Sequence, residues 1–362
     1  MKTISHRIIE MLFMWTLVAG YVFGQETSEN KSAPNAFGLK TSGFFDSYYS
    51  VNFNRPGNET NQLRNFDFHS NQVSINLAKL SFQKDASPVG FKVDLFFGPT
   101  ADAVNSLDSG GTLRYIEQVY GTVVVPVSRG LTIDVGKFVT HLGAEVIETN
   151  ANWNYSRSLL FAWAIPYFHT GIRASYPVSD QVTLMGMLAN GWNGFDDNNK
   201  AKTLGAQISY APTKRLTLIQ NWVGGAEQDN NSKNRRNVFD FVANFQATDQ
   251  LAFIVNGDYG TEKVTSGHAV WMGIAGMTRY AFNDKTAMIV RGEIFKDRDG
   301  NQTGVPQTLK EITLTGEWRA QKQFLVRGEW RSDYSNSKVF DSKNSGFKSS
   351  QSTFLIGAIF EF

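Results

Sequence analysis

Apolar and polar residues alternate with a period of two along much of this chain. Successive side chains of a β-strand point to opposite faces, so the alternation predicts strands with one apolar and one polar side. The segments 236–247, 310–319 and 324–331 show the pattern clearly. In the last segment, Glu361 lies opposite an apolar face made of Phe354, Ile356, Ala358, Phe360 and Phe362.

Turn-forming residues divide the chain into about 16 strands, with 14 or 18 as the alternatives if one hairpin is assigned wrongly. The predicted strands begin near Gly38, Phe68, Val89, Ile116, Leu131, Phe168, Gln181, Lys200, Leu216, Asn237, Leu251, Val270, Thr286, Thr308, Phe324 and Gln351. Short connections alternate with long polar ones at 54–67, 99–115, 141–167, 193–199, 225–235, 261–267, 297–307 and 335–350.

This layout is typical of bacterial outer-membrane barrels, which have an even number of strands, short periplasmic turns and longer outer loops. We therefore expect an all-β fold over residues 38–362, a transmembrane antiparallel up-and-down β-barrel. A soluble β-sandwich or adhesin is the alternative, because short strands and turns also occur there. The polar faces, however, carry too many charged groups for a packed core.

Aromatic residues near the strand ends also favour the barrel, because Tyr and Trp form girdles at membrane interfaces. The candidate girdle residues are Tyr48, Tyr49, Tyr176, Trp192, Tyr210, Trp222, Tyr259, Tyr280, Trp318 and Trp330.

The first 24 residues predict a secretory signal peptide that is not part of the fold. Lys2 and Arg7 precede a short apolar run at 11–24, which ends in Val22, Phe23 and Gly24 and so offers small residues for cleavage. A membrane anchor is the alternative, but it requires about 20 apolar residues. Residues 25–37 then form a short periplasmic lead. The expected location is the outer membrane of a Gram-negative bacterium.

Composition narrows the function classes. Aromatic residues make up 13% of the chain and are spread along it, as a barrel with an apolar outside predicts. The chain has no cysteine, which excludes a disulfide framework. Its formal net charge is +2, without a basic run, so no nucleic-acid partner is expected.

Six stretches carry a family resemblance: SGFFDSYYSVNFNRP (42–56), NQVSINLAKLSFQK (71–84), VGFKVDLFFGPTAD (89–102), LTIDVGKFVTHLGAEVIET (131–149), NWNYSRSLLFAWAIPYFHTGIRASY (152–176) and LANGWN (188–193). They resemble the OmpL-like β-barrel porin family of outer-membrane proteins, strongly up to about Asn193 and only in general barrel patterning beyond it. The resemblance implies a porin-like channel for small polar solutes, embedded in outer-membrane lipid. Phe362 resembles the terminal aromatic that the barrel-assembly machinery recognises.

Motifs for catalysis and metal binding are missing from the sequence. The four histidines beyond the leader, His69, His141, His169 and His268, do not have a metal-ligand spacing such as H-E-x-x-H. G-x-S-x-G and P-loop motifs are absent as well. Residues 297–301 open like a calcium loop, but Gln302 stands where glycine is needed. We expect no catalytic residue, metal site or cofactor.

The long connection 141–167 is unlike the other loops because it carries many apolar residues: Trp153, Tyr155, Leu159, Leu160, Phe161, Trp163 and Ile165. A barrel of about 16 strands leaves an aqueous lumen. Folding the loop into that lumen would bury these residues and narrow the pore. Glu145, Glu148 and Arg157 would then approach the channel axis. The alternatives are a loop that caps the barrel mouth or one that contacts another subunit.

The same alternation predicts a charged inner wall. If Ile312, Phe324 and Phe354 face lipid, the opposite parity faces the lumen and includes Arg291, Glu293, Glu317, Arg319, Arg327, Glu329 and Arg331. Further candidates are Arg173, Arg279, Asp46, Lys92 and Asp94. Charges on the lipid face near mid-membrane cost about 2–4 kcal/mol each, which favours the inward assignment. These residues either line the pore and tune ion selectivity, or pair across strands and stiffen the wall.

Together these observations predict a porin, not an enzyme, that passes small hydrophilic solutes or ions by passive diffusion. The pore would be narrowed by residues 141–167, and the protein would be a monomer or a homotrimer. The alternatives are a non-conducting structural or adhesion barrel and, with less support, an outer-membrane barrel enzyme.

Overall fold

The computed structural model describes residues 37–108, 111–343 and 346–362. The expected signal peptide 1–24 and nearly all of the lead 25–37 therefore lie outside the described residues. Sixteen strands form one closed barrel in which every pairing is antiparallel. This confirms the expected fold class and the expected number of strands.

The chain places its barrel strands in sequence order around the wall. They are β1 (Leu39–Asn52), β2 (Val73–Lys84), β3 (Val89–Phe97), β4 (Ile116–Val125), β5 (Leu131–Val139), β6 (Phe168–Pro177), β7 (Val182–Ala189), β8 (Thr203–Thr213), β9 (Leu216–Gln228), β10 (Asn231–Gln246), β11 (Leu251–Val264), β12 (Gly267–Asn283), β13 (Thr286–Asp297), β14 (Gln307–Gln321), β15 (Phe324–Ser335) and β18 (Ser350–Glu361). A separate hairpin, β16 (Phe340–Ser342) and β17 (Gly346–Lys348), lies in the connection before β18.

The barrel closes where β1 pairs with β18, for example Phe45 opposite Phe360. Two further backbone hydrogen bonds extend this pairing, because Gly43 and Phe362 each donate an N–H to the carbonyl of the other, at 3.1 and 2.9 Å. Closure leaves no strand edge open, which matters because unpaired backbone groups cannot be satisfied in hydrocarbon.

The alternating apolar and polar residues of the sequence lie on the outer and inner faces of the barrel wall. In β14, Ile312, Leu314 and Trp318 are exposed on the outside, whereas Glu311 and Glu317 are buried on the inside. An apolar exterior around a polar interior is the reverse of a soluble protein and suits a barrel in lipid. The inward and outward parity expected from the sequence is therefore correct in this strand.

Within residues 37–108, 111–343 and 346–362, helical structure is limited to short segments inside the connections. The two α-helices are α1 (Pro99–Val104) and α2 (Leu159–Trp163), and single 3₁₀ turns occur at Ser106–Asp108, Thr112–Tyr115 and Thr149–Ala151. Helix α2 begins after Ser158, whose hydroxyl accepts the Phe161 N–H at 3.0 Å and so caps it. Within the described part of the chain, no helix is long and apolar enough to cross a bilayer.

Two of the expected long connections, 225–235 and 261–267, are wrong. Strands β9 and β10 are separated only by residues 229–230, and β11 and β12 only by residues 265–266. The polar residues there belong to strands, as the ion pair of 2.7 Å between Arg236 and Glu262 across β10 and β11 shows. Polar residues on a strand that extends past the membrane look like a loop in the sequence.

Smaller corrections concern single strands and aromatic residues. Strand β2 begins at Val73, not near Phe68, because the preceding connection folds inward and buries Phe66. Strand β8 begins at Thr203, not near Lys200. Tyr48 is not a girdle residue, because it faces the lumen and is buried. The doublet Tyr48–Tyr49 puts one aromatic ring on each face of β1, so its alternation is ambiguous in the sequence.

Candidate functional site

Residues 140–167, which connect β5 to β6 and are called the inner loop here, lie inside the barrel and contact its wall around much of the circumference. The Gly143 N–H donates to Asp240 on β10 at 3.1 Å, and the Ala144 N–H donates to Asn256 on β11 at 3.2 Å. Farther along, Tyr155 contacts Tyr48 on β1, with ring centroids 5.6 Å apart. The inner loop therefore crosses the lumen and reaches strands on both sides of it.

Two wall carboxylates hold the backbone of the inner loop. Glu329 on β15 accepts the N–H groups of Tyr155 and Ser156 at 2.7 and 3.0 Å. Glu293 on β13 accepts the Leu159 N–H at 2.7 Å, at the start of α2. A carboxylate is favourable at a helix N-terminus, and it satisfies an N–H that the helix itself leaves free.

Arg291 on β13 is one of the fully enclosed charges of this contact. Its guanidinium is fully buried and bonds Glu145 of the inner loop at 2.9 Å, Glu311 of β14 at 3.1 Å and the Ser156 carbonyl at 2.7 Å. A buried charge is tolerated only when it is paired and hydrogen-bonded. Arg291 therefore joins the loop to two neighbouring strands.

Arg327 and Arg331 on β15 repeat this arrangement. Arg327 donates to the Thr149 carbonyl at 2.7 Å and to Glu317 at 2.8 Å. Arg331 donates to the Arg157 carbonyl at 2.6 Å and to Asp333 at 2.8 Å. Both face the inside of the barrel, as their parity predicts. The inner loop covers them, so they hold the loop and are not open to the channel.

Glu145 and Arg157 of the inner loop also differ from the expectation that they approach the channel axis. Both are buried. Arg157 donates to the carbonyls of Val146 and Ile147 at 2.8 and 2.5 Å. Glu145 accepts the Ser158 N–H at 2.7 Å. The physical reason is that a loop buried in the lumen must satisfy its own backbone groups.

Glu148 is the expected inner-loop charge that keeps some access to water, with 18% of its side chain exposed. It pairs with Lys79 on β2, which also contacts Glu117 at 2.6 Å and Asp94 at 3.0 Å. Burial raises the pKa of Glu148, but the Lys79 ammonium outweighs this and holds that pKa below its usual range. The oxygens of Asp94, Glu117 and Glu148 lie within 4.8 Å of one another. An ammonium group already contacts all three.

The apolar part of the inner loop packs on an apolar patch of the inner wall, which sequence reasoning missed. Trp153 belongs to a buried cluster with side chains from five neighbouring strands, namely Ile219, Val242, Ile254, Met277 and Ile289. On β10, for example, the inward parity of Val242 was visible in the sequence, because it lies on the face opposite to Phe239 and Phe241. From the sequence alone, inward-facing apolar residues cannot be assigned to a contact, because the loop that packs on them is not known.

Tyr155 packs against the wall at a position where the wall residue, Gly357, has no side chain. A Cβ atom added to Gly357 on β18 would lie 2.4 Å from the ring of Tyr155. The ring also packs with Tyr48 and Leu355 in a buried cluster. Another connection adds to the filling, because Phe66 contacts Phe161 of the inner loop with ring centroids 6.0 Å apart.

His141, at the beginning of the inner loop, is a structural residue. Its Nε2 lies 3.1 Å from the Trp222 carbonyl on β9. Burial, together with the neighbouring His169, lowers the pKa of His141 to about 3, so the imidazole is neutral at neutral pH. A neutral histidine between the loop and the wall adds no charge to the lumen.

The other expected wall residues divide into buried and partly exposed side chains. Asp46 and Asp94 are fully buried, and Asp46 accepts from Asn76 at 3.2 Å. Cations that stay partly exposed inside the barrel are Lys92, Arg173, Arg279 and Arg319.

Comparison with known proteins identifies the type of barrel. A family model described as "Putative beta-barrel porin-2, OmpL-like" matches residues 38–362. No curated protein sequence matches the chain.

Solved structures with the same fold are outer-membrane proteins of low sequence identity. OmpT of Vibrio cholerae superposes with a TM-score of 0.60 at 11% identity, over 90% of this chain and 97% of that one, and the same protein is also described in a trimer form. An anion-selective porin from Comamonas acidovorans gives 0.61 at 11%, over 90% and 99%. The channel DcaP of Acinetobacter baumannii gives 0.59 at 13%, over 91% and 99%. These likenesses show the fold.

Proposed function

Since this chain belongs to the OmpL-like β-barrel porin family of the bacterial outer membrane, we propose that small hydrophilic solutes and ions diffuse passively through its lumen. The inner loop narrows the path, and the solute is selected mainly by size and charge. The observation that carries the proposal is the inner loop itself, which is fastened across the inside of a closed 16-stranded barrel.

The exposure of inward-facing side chains supports a path along one side of the barrel. On β13–β15, where the inner loop packs, Arg291, Glu311 and Arg327 are buried. On β4–β8, inward-facing polar residues such as Thr122 and Gln207 keep partial exposure. At the level of the inner loop, we therefore assign the water path to the space between that loop and strands β4–β8, because a wide barrel that is filled on one side stays open on the other.

The remaining parts of the function are proposals of the same kind. The leader 1–24 would direct export and be removed. The assembled protein would be a monomer or a homotrimer, and a trimer form of a protein with the same fold supports the second possibility.

Single-channel recording of the refolded mature protein in a planar bilayer tests the proposal. We expect discrete and reproducible conductance steps, because a through-path has a fixed cross-section. Swelling of proteoliposomes in neutral sugars of increasing size would then give the size limit. A protein that inserts as a folded barrel but neither conducts nor admits sugars would favour the structural or adhesion alternative.

A further inference from the structure

Four partly exposed cations lie near one end of the inner wall. Lys92 is three residues from the start of β3, and Arg173 is four residues from the end of β6. Arg279 and Arg319 lie four and two residues from the ends of β12 and β14. All four strand ends lead into short connections, which are periplasmic in outer-membrane barrels. The cations therefore surround the periplasmic half of the lumen.

Each of these cations contacts a carboxylate, but the two partners differ in their exposure. The side chains of Lys92 and Arg319 are both 24% exposed, whereas their partners Asp94 and Glu361 are 0% and 6% exposed. Arg279 is 22% exposed and its partner Glu317 5%.

The same difference in exposure is smaller for Arg173, whose side chain is 22% exposed while that of its partner Asp134 is 12% exposed. Its guanidinium also stacks over Phe138, with 4.5 Å to the ring centroid. The net charge of the four pairs is zero, but in each pair the cation is more exposed to the lumen than the carboxylate. A dissolved ion in this part of the lumen therefore meets cationic groups at closer range than carboxylates.

Two other groups of charges among the described residues do not cancel this arrangement. Glu148 is more exposed than its partner Lys79, but it lies on the inner loop beside a second cation, Lys92. Pairs on the periplasmic turns, such as Arg129 with Asp180, are exposed to bulk solvent on both sides, and exposed pairs of this kind contribute little field.

We infer that this ring of Lys92, Arg173, Arg279 and Arg319 makes the channel prefer small anions over small cations. The inference rests on the proposed pore and deepens it by naming the solute class. Rings of one charge tune selectivity in channels. A lumenal potential of about one kT would raise the anion concentration and lower the cation concentration by about e-fold each, which gives a permeability ratio of roughly 7.

The reversal potential of the purified, refolded protein in a KCl gradient measures this ratio. For the unmodified chain we expect chloride to be several-fold more permeant than potassium. In the variant Lys92→Gln/Arg173→Gln/Arg279→Gln/Arg319→Gln, the ratio should fall to about 1 or below, because the wall loses its water-facing cations. Lys310→Gln is the matched control, since Lys310 is an exposed cation on the outer face of β14, and its ratio should equal that of the unmodified chain.

A second variant keeps the test decisive if the fourfold change prevents folding. Glu317→Gln/Glu361→Gln removes two nearly buried partners and leaves Arg279 and Arg319 more strongly cationic, so the anion preference should rise. Conductance with a ratio at or below 1 in the unmodified chain would overturn the inference and leave the pore intact. A ratio that stays the same in both variants would also overturn it. An unmodified chain without conductance would overturn the proposed pore, and the inference with it.

Discussion

At the scale of the residue, the inner wall of this barrel uses charge to hold a loop. Glu293 and Glu329 accept backbone N–H groups of the loop, and Arg291 and Arg327 donate to its backbone carbonyls. Arg291 also donates to the loop carboxylate of Glu145. These side chains lie on the parity that the sequence predicts. Their partners belong to the inner loop, so they are buried and satisfied instead of hydrated.

Gly357 offers a sharp test of how closely the inner loop fits. In Gly357→Ala, the new methyl group would meet the ring of Tyr155, which is buried and has little room to move. Overpacking of this kind costs about 1–3 kcal/mol of unfolding free energy. Urea unfolding of the refolded protein in lipid vesicles measures the change.

Gly328→Ala is the control, because Gly328 lies on the neighbouring strand β15 with open space where the Cβ would be. We expect its stability to change by less than about 0.5 kcal/mol. Equal stability of the two variants would show that Tyr155 does not occupy the position described.

At the scale of the element, the inner loop and not the circumference of the barrel would determine the width of the path that we propose. Within this loop, Glu145 and Ser158 approach each other, because the Ser158 N–H donates to the Glu145 carboxylate at 2.7 Å. The segment between them, which includes Trp153 and Tyr155, can therefore be removed without stretching the chain.

We predict that replacing residues 146–157 with two glycines increases the single-channel conductance several-fold. The deletion removes the side chains that fill the lumen, and the strands keep their own hydrogen-bonded register. Heat-modifiable migration in an electrophoresis gel checks that the variant still forms a barrel. A folded variant with unchanged conductance would place the narrowest point elsewhere.

Sequence reasoning was reliable for elements and unreliable for contacts, for a physical reason. Alternation in β14 and β18 is a local property of the chain, so strands can be identified within a window of about ten residues. The contacts Glu145–Arg291 and Tyr155–Glu329 join positions far apart in the sequence and leave no local signal. The apolar composition of 141–167 predicted only that it must be buried, not which wall residues bury it.

At the scale of the whole molecule, the last strand completes the wall. Phe360 stacks on Phe45 and Phe324, with both centroid distances 4.6 Å. Phe362 follows with its side chain 54% exposed. Phe360 is therefore placed to stabilise the closed barrel, whereas the exposed side chain of Phe362 is compatible with the assembly role expected from the sequence.

These positions predict different defects for two neighbouring substitutions. Phe362→Ala should lower the amount of barrel that reaches the outer membrane of cells, yet leave the urea stability and conductance of refolded protein nearly unchanged. Phe360→Ala should lower the stability of the refolded protein by about 3 kcal/mol or less, since the ring is only partly enclosed. Equal outer-membrane levels for Phe362→Ala and the unmodified chain would contradict the assembly role.

The pairing of β1 with β18 determines the order in which the barrel can be assembled. Every other neighbouring pair is joined by the connection that follows it, so it can form as soon as its second strand exists. Strand β1 cannot complete its pairing before β18 is present. Until then, the incomplete sheet has two edge strands with unpaired backbone groups, and these can pair with other chains. A partly assembled barrel is therefore prone to aggregation at every stage, and the cell must keep it apart from other chains until β18 has paired with β1.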